Sequence, residues 1–279
     1  MGNNIKTVML FALLTGVVML IGQLVGGHAG MMVALVIALF MNAGAYWFSA
    51  SLVLAQTRAR VVSPQEAPEL HQIVSHLAQN AGLPMPRLAI VEDPSPNAFA
   101  TGRNPSHAVV AVTRGLLDMM DREELAGVLS HELAHVKHRD ILICSVAATM
   151  ASAIMMLASM AKFAAVLGPR RGRGGAGGLL TGLLLALFAP VAAALIQAAI
   201  SRSREYLADD EGANISQTPD YLARALEKLS GASRPVATAG PATAPLFIVN
   251  PLAISGLSNL FATHPPLEER IQRLRGLRL

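Results

Sequence analysis

The sequence predicts a mainly α-helical membrane protein with four hydrophobic helices and a water-exposed α+β part that contains a small sheet. Hydrophobic residues make up 53% of the 279 residues and charged residues only 14%, against roughly 25% charged residues in an ordinary soluble domain. Residues 7–57 contain no Asp, Glu, Lys or Arg, and a helix needs only about 20 apolar residues to cross a bilayer. Residues 141–161 and 174–201 are also free of charge, so each of them is long enough for one further span.

The first charge-free run is long enough for two helices joined by a turn. The glycine-rich stretch "GGHAG" at residues 26–30 favours the turn, which places one helix at residues 8–25 and the next at residues 31–54. The first helix is too long for the core of a signal peptide, and no small-residue cleavage site separates it from the second. We therefore expect residues 1–57 to form a retained transmembrane hairpin.

Charges next to the hydrophobic segments predict the orientation in the membrane. Lys6 precedes the first span, and Arg58 and Arg60 follow the second; Lys and Arg accumulate on the cytoplasmic side of membrane proteins. Residues 58–140, which follow, are therefore expected in the cytoplasm. The basic loop "GPRRGRGG" at residues 168–175 runs against this rule, because it would face the opposite side.

The polar residues after the hairpin carry the patterns of a small α+β domain. The stretch "SPQEAPELHQIVSHLAQNAGLP" has apolar residues at helical spacing before Gly82 and Pro84, which predicts an amphipathic helix. The runs "RLAIVE" and "HAVVAVT" are rich in β-branched residues and flank a turn-rich segment, so we expect them to be strands of one sheet.

The next helix carries the most informative motif, "SHELAHVKHRD" at residues 130–140. Asp121 followed three residues later by Glu124 is a capping-box signature for the start of this helix, and apolar residues continue at helical spacing. Charged residues stand on both sides of the motif, and that much charge is costly in the core of a bilayer. The motif is therefore expected in water or at the membrane interface.

The spacing of the motif suggests a metal site. His131 and His135 are four residues apart and lie on one helix face, so their imidazole nitrogens can point at one metal ion with Glu132 beside it. A catalytic zinc takes three protein ligands and leaves a fourth position for water. The strongest candidate for the third ligand is Glu205 in "SRSREYLADD". Asp209, one turn further on the same face, is placed to accept a hydrogen bond from the other nitrogen of His131.

The predicted membrane topology allows these residues to meet. Glu205 can reach His135 only if the chain crosses the membrane an even number of times between them, and two hydrophobic segments lie there. The expected organisation is a transmembrane hairpin, a first part of the cytoplasmic domain, a second hydrophobic hairpin, and a second part of the domain with the third ligand: residues 1–57, 58–140, 141–200 and 201–279.

The last part of the chain returns to polar patterns. "PDYLARALEKLSG" predicts a helix, residues 233–251 form a loop rich in Pro, Ala and Thr, and "THPPLEERIQRLRGLRL" begins with two prolines and continues as a basic amphipathic helix. No internal repeat is visible.

Successive blocks of the sequence resemble those of the HtpX family of membrane-bound zinc endopeptidases, relatives of the CAAX prenyl endopeptidases. The blocks are "PNAFATG", "AVTRGLL", "EELAGVLSHELAHVKHRD", "SRSREYLADDEGA" and "THPPLEERI", and they occur in the same order. The resemblance implies a cytoplasmic, gluzincin-like zinc protease domain with one zinc ion per chain. It implies that His131, His135 and Glu205 bind the zinc and that Glu132 is the catalytic base.

The same resemblance implies a biological setting. It predicts a multi-pass protein of the bacterial inner membrane that degrades damaged membrane proteins from the cytoplasmic face, as part of stress response and quality control. The expected partners are the lipid bilayer and polypeptide substrates, mainly membrane proteins. Nucleic acid is not an expected partner, because aromatic residues make up only 4% of the chain and none of its basic stretches is rich in them.

Two finer hypotheses follow. His264, in a Thr-His-Pro-Pro turn, is a candidate donor to the oxyanion of the tetrahedral intermediate, because related metalloproteases place a donor there. The backbone of Asn97, Ala98, Phe99 and Ala100 is a candidate edge strand onto which an extended substrate adds. Such a mode of binding fits a protease that tolerates many sequences.

Two other classes of function stay open. An intramembrane protease would hold its metal within the bilayer, and the charges around Glu132 argue against that. In a membrane scaffold or transporter the motif would have no catalytic role. A transporter would place ionisable or discontinuous elements in its spans, whereas these segments offer little beyond Lys162 and Pro190.

Overall fold

The computed structural model describes residues 3–150, 202–231, 248 and 265–279. Most of the second predicted hairpin, residues 141–200, lies outside the described residues, and so does His264. What is described is a long helical hairpin followed by an α/β domain, by which we mean the described residues after that hairpin.

The predicted N-terminal hairpin is one helical stretch, α1 (Asn3–Thr57), interrupted by a turn. Gly27 leaves helical geometry with φ +60° and ψ −149°, a conformation that suits glycine because it has no side chain. The two arms then pack side by side, and Asn42 Nδ2 donates a hydrogen bond to Thr15 Oγ1 at 2.9 Å. The second arm, Gly26–Thr57, is long and apolar enough to cross a membrane.

The described residues show shorter apolar helices at two of the three other predicted spans. Thr7–Leu20 in the first arm of α1 is one of them, and α5 (Asp140–Met150) is another. The helix α5 is the beginning of the second predicted hairpin, whose remainder lies outside the described residues. The number of four spans therefore stays a prediction.

A four-stranded mixed sheet forms the centre of the α/β domain. Its strands, in spatial order, are β1 (Arg60–Val62), β2 (Arg87–Val91), β4 (Val109–Thr113) and β3 (Ala98–Thr101). The inner pair β2 and β4 is parallel, and both outer pairs are antiparallel. The inner strands are the two runs in which strands were predicted, and β3 lies at one edge.

The two faces of the sheet have different neighbours, because alternate side chains of a strand point to opposite faces. One set joins the main core with α2 and α4: Leu88, Ile90, Ala98, Ala100, Val110 and Val112. The other set packs with Val53 and Leu54 near the end of α1: Ala89, Val91, Phe99, Val109 and Ala111. The sheet thus lies between the end of the helical hairpin α1 and a layer of helices.

The helices of this layer follow the sheet or join its strands. They are α2 (Pro68–Ala81), α3 (Arg114–Met119), α4 (Arg122–Lys137), α6 (Arg202–Ser216), α7 (Asp220–Gly231) and α8 (Leu267–Gly276), with a 3-10 turn at Pro105–His107. The helix α4 lies at the centre, where it packs against α2, α6, α7 and β3.

The predicted capping box starts α4. The Asp121 carboxylate accepts hydrogen bonds from the backbone N–H groups of Glu123 and Glu124, both at 2.9 Å. The Glu124 carboxylate in return accepts one from the backbone N–H of Asp121 at 2.9 Å. These bonds satisfy N–H groups that the first turn of a helix leaves unpaired, and they fix where α4 begins.

Candidate metal centre

The two histidines of the motif face one another on α4. Their Nε2 atoms are 3.2 Å apart, and their rings are nearly perpendicular, with an interplanar angle of 87°. The His131 side chain is fully buried, whereas 17% of the His135 side chain remains accessible. The pair of histidines is therefore accessible to solvent on the side of His135.

Glu205 reaches the same point from α6. Its Oε2 atom is 3.7 Å from His131 Nε2, and its Oε1 atom is 3.7 Å from His135 Nε2. One ligand atom from each of the three residues lies within 4.8 Å of the other two. At ligand bonds of about 2.0–2.2 Å, tetrahedral geometry separates ligand atoms by roughly 3.3–3.6 Å. The donor set and its spacing therefore fit a divalent metal ion with one coordination position left for water.

Close packing of two helices holds Glu205 near the histidines. Gly212 on α6 lies against the backbone of α4, where a Cβ atom at residue 212 would be 3.1 Å from both the N and the Cα of His131. Glycine permits this approach because it adds no side chain between the helices.

A buried carboxylate contacts the Nδ1 nitrogen of the His131 ring. Asp209 Oδ1 is 3.0 Å from His131 Nδ1, as proposed from the i, i+4 spacing of Glu205 and Asp209. When His131 Nδ1–H donates to Asp209, its Nε2 presents a lone pair to a metal. Burial and the charge of Arg270 oppose protonation of His131, but hydrogen bonds to Asp209 and Glu205 outweigh them and raise its pKa to about 9.

Arg270 completes this support from α8. Its Nε and Nη2 atoms donate to the two carboxylate oxygens of Asp209 at 2.9 and 2.6 Å, and both side chains are buried. Burial alone would raise the pKa of Asp209, but the Arg270 charge and the hydrogen bond to His131 leave that pKa below its ordinary value. Asp209 is therefore a carboxylate, able to accept a hydrogen bond from His131 Nδ1–H.

His135 has a corresponding partner. Asp140, the first residue of α5, places Oδ2 3.3 Å from His135 Nδ1 and is itself buried. The helix α4 ends at Lys137, and Arg139, directly before Asp140, has a positive φ of 59° at the turn into α5. Arg204 Nε lies 3.9 Å from the other oxygen of Asp140. Each imidazole thus has a carboxylate at Nδ1 and faces the ligand cluster with Nε2.

Glu132 is buried beside this cluster. Burial would lower the pKa of Arg270, but the carboxylates of Asp209, Glu205 and Glu132 raise it. Glu132 therefore contributes its charge to the same site as the two other acids. His264, the residue expected to bind the oxyanion, lies outside the described residues.

The predicted substrate edge is β3. The Thr113 N–H donates to the Asn97 carbonyl at 2.9 Å, and hydrogen-bonded positions alternate along an antiparallel strand, so Phe99 and Thr101 also face β4 and the peptide groups of Ala98 and Ala100 point away from the sheet. The Ala98 carbonyl accepts a hydrogen bond from the Ile248 N–H at 3.2 Å. In the described part of the chain, no partner is found for the outward peptide groups of Ala100. A peptide that extends this sheet would therefore meet Ile248 at one end of the edge.

Sequence reasoning missed Arg270 and Asp140 as parts of the site. Arg270 stands among several basic residues of α8, but it lies on the same helix face as Leu267 and Leu274, and a charge on an apolar stripe signals a buried partner. Asp140 is the last charged residue before a long apolar segment. That position suggested only the end of the motif helix.

Comparison with known proteins agrees with the geometry. The model of peptidase family M48 matches residues 64–278. Proteins named "Protease HtpX homolog" are similar over the full chain: 57% identity in Desulfatibacillum aliphaticivorans, covering 100% of this chain and 91% of that protein, and 54% in Syntrophobacter fumaroxidans, covering 99% and 100%. The corresponding protein of Pyrococcus furiosus is 52% identical, covering 99% and 96%.

A solved structure shares the fold. The crystal structure of S. mikatae Ste24p superposes with a TM-score of 0.51 at 18% sequence identity and covers 98% of this chain. This chain spans 65% of the length of that protein. The family match, the full-length similarity to HtpX proteases, the apolar second arm of α1 and the three converging ligands together lead to one conclusion. The chain belongs to peptidase family M48 and is a membrane-associated metalloprotease related to HtpX.

Proposed function

We propose that this protein is a zinc-dependent endopeptidase that hydrolyses peptide bonds of damaged or misfolded membrane proteins at the cytoplasmic face of the bacterial inner membrane. The observation that carries the proposal is the convergence of His131, His135 and Glu205 within 4.8 Å, from two helices separated by an apolar stretch of sequence. Carboxylates behind both imidazoles support metal binding, because such bonds fix the ring orientation and make the ligand nitrogen more basic.

The chemistry that we assign to the site divides between the ion and the side chains. A zinc ion held by His131, His135 and Glu205 would polarise the scissile carbonyl and lower the pKa of a bound water. Glu132 accepts a proton from the attacking water on its carboxylate and passes it to the nitrogen of the leaving amine. His264 is proposed as a hydrogen-bond donor to the oxyanion that forms on the former carbonyl oxygen.

The remaining residues orient these groups. Asp209 and Asp140 accept hydrogen bonds from the Nδ1–H groups of His131 and His135, which would keep both Nε2 atoms available to a bound ion. The outward peptide groups of Ala98 already bond to Ile248 and Asn97, so those of Ala100 on β3 are proposed to bind an extended substrate by main-chain hydrogen bonds. Such bonds do not depend on side chains, so the site accepts unfolded segments of varied sequence.

The location is proposed on separate grounds. The positive charges around the first hairpin favour a cytoplasmic α/β domain, and the similarity to HtpX proteases favours a multi-pass protein that acts in membrane protein quality control.

Cysteine accessibility labelling in intact cells tests the orientation. A cysteine introduced at the exposed residue Asp118 should react with a membrane-impermeant maleimide only after the cells are opened, and reaction in intact cells would contradict the proposed side.

Purified protein in detergent tests the proposed chemistry. Elemental analysis should find close to one zinc per chain, and a chelator should abolish cleavage of unfolded casein until zinc is restored. Glu132→Gln should keep its zinc and lose about a thousandfold in turnover, since general acid–base catalysis of this kind contributes roughly 100- to 10,000-fold. Glu205→Gln should lose zinc as well as turnover.

A matched control for Glu205→Gln lies on the same helix, α6. Asp210→Asn changes an acid next to Asp209, but Asp210 faces Arg273 at the surface, so zinc content and turnover should not change. A wild-type protein that binds no zinc and cleaves nothing under these conditions would support the scaffold class instead.

A further inference from the structure

The second arm of α1 indicates where the membrane surface lies. Tyr46 and Trp47 are neighbours on this arm with their rings in edge-to-face contact, 5.3 Å between centroids, and 58% of Trp47 is exposed. Tyrosine and tryptophan concentrate at the level of the lipid headgroups. The helix from residue 28, just after the turn, to residue 47 rises about 29 Å, close to the roughly 30 Å of a hydrocarbon core. We therefore take Trp47 to lie at the surface of the bilayer.

The membrane-side end of β3 lies at this level. Arg103 follows β3 by two residues, and its guanidinium carbon is 4.7 Å from the centroid of the Trp47 ring, a cation–π contact. The last turns of α1, at Val53 and Leu54, pack beneath the face of the sheet. The C-terminal end of the edge strand is therefore the end next to the bilayer, where a substrate chain would emerge.

The helix α5 gives the height of the metal centre above this end of β3. Asp140, its first residue, contacts His135 at 3.3 Å. Five residues later, Ser145 Oγ lies 2.7 Å from Thr101 Oγ1 and 3.2 Å from the backbone nitrogen of Gly102. A helix rises about 1.5 Å per residue, so these contacts are separated by roughly 8 Å along α5. The metal centre is thus close to the bilayer.

We propose that the substrates are polypeptide segments that directly adjoin a transmembrane span, cleaved within about ten residues of the end of that span. An extended chain covers about 3.3 Å per residue, so roughly three residues bridge the roughly 8 Å from the bilayer surface to the metal centre. This inference rests on the proposed endopeptidase function and adds the position of the cleaved bond relative to the membrane.

The preference arises from tethering as well as from distance. A segment anchored in the same bilayer reaches the site at an effective concentration that is highest when its linker matches the span to be bridged and falls as the linker lengthens. A segment far from the membrane lacks this advantage. Rate should therefore depend on distance from the span more than on sequence.

A substrate with repeated cleavage segments tests the proposal. The protein is reconstituted in vesicles with a single-span polypeptide whose soluble tail carries identical copies of one casein-derived segment in tandem. The copy nearest the span should be cut about tenfold faster than the distant copies, as expected from the loss of effective concentration with linker length. The same tail without a span controls for the intrinsic reactivity of each copy, and its copies should be cut at similar rates.

The outcomes separate the two hypotheses. Equal cleavage of all copies in the anchored substrate would overturn the juxtamembrane preference and leave the proposed function intact. Absence of cleavage in both substrates and in casein would overturn both hypotheses.

The height of the site can be measured without activity, because Trp47 is the one tryptophan of the chain. In vesicles with quenchers at known depths, Trp47 fluorescence should be quenched most strongly by a label near the headgroups. Strongest quenching by labels at the acyl-chain ends, or by aqueous iodide alone, would place Trp47 away from the membrane surface and overturn the height on which the proposal depends.

Discussion

Arg270 binds both carboxylate oxygens of Asp209, and Asp209 in turn lies 3.0 Å from the Nδ1 atom of His131. The arginine comes from α8, 139 residues after the histidine in the sequence. All three side chains are buried. Arg270, which is not one of the three candidate ligands, therefore helps to keep the carboxylate behind His131 charged and in place.

Removal of this arginine should be costly. Arg270→Met leaves the Asp209 carboxylate buried without its main partner, and breaking a buried ion pair in this way costs about 3–5 kcal/mol. We expect a matching decrease in the free energy of unfolding by denaturant in detergent, together with weaker metal binding. Arg273→Met is the control on the same helix, because its pair with Asp210 is partly exposed, and such pairs contribute less than about 1 kcal/mol. Equal effects of the two substitutions would contradict this account.

Asp140 should affect the metal through His135. Asp140→Asn removes the charge behind the His135 ring, and loss of such a partner weakens metal affinity by about 10- to 100-fold. Competition with a chromophoric chelator measures the affinity. Asp118→Asn, an exposed acid on α3, is the control. Unchanged affinity in Asp140→Asn would mean that the 3.3 Å contact does not orient the imidazole.

The metal-free protein should lose stability as the pH rises. The pKa of His131 is raised from 6.5 to about 9 in the folded chain, so its protonated form stabilises the fold fully below pH 6.5, and this contribution is lost as the pH rises through 9. The unfolding midpoint of the chelator-treated protein should fall over that interval, and the fall should be absent in His131→Gln. A flat profile in the unsubstituted protein would show that the histidine is neutral without metal.

Metal binding should show the opposite dependence on pH. A metal ion competes with the proton on His131, so apparent affinity should increase from pH 6.5 to 9. Calorimetric titrations in buffers of different ionisation enthalpy should detect close to one proton released per ion near pH 7.5. Affinity independent of pH would contradict the assignment of His131 as a ligand.

Gly212→Ala should loosen the site at the contact between α4 and α6. The added methyl group would stand 3.1 Å from the His131 backbone, so α6 must shift by a few tenths of an ångström, and Glu205 shifts with it. We expect a several-fold loss of metal affinity and of turnover, measured by chelator competition and casein cleavage. Gly231→Ala is the control, because no described atom lies within 4 Å of a Cβ there. Full metal affinity in Gly212→Ala would show that the helix contact tolerates the methyl group.

Patterns within short stretches of sequence predicted the local structure well. Three predicted features depend only on neighbouring residues, and the structure has them where they were expected. They are the glycine turn of the hairpin, the strands β2 and β4, and the capping box of Asp121 and Glu124. His131, His135 and Glu205 were brought together in the prediction by ligand chemistry and by the count of membrane crossings. Both arguments use only the residue types and their order in the sequence, so neither needs the structure.

Patterns within short stretches of sequence do not predict how distant segments pack against each other. Arg270 is one of several basic residues of α8, and only the docking of α8 on α6 decides which of them is buried. The contacts of Thr101 with Ser145 and of Arg103 with Trp47 likewise join segments far apart in sequence. The hydrogen bond from Ile248 to Ala98 arises in a stretch in which no structure was expected.

The order of the site residues along the chain is also the order in which the ribosome synthesises them. The histidines of α4 are synthesised long before Glu205, and Arg270 follows only when α8 is made. A nascent chain still held by the ribosome at α6 has its ligands but not the arginine that keeps Asp209 charged behind His131. The buried ion pair behind His131 therefore forms only after α8 has been synthesised and has docked on α6.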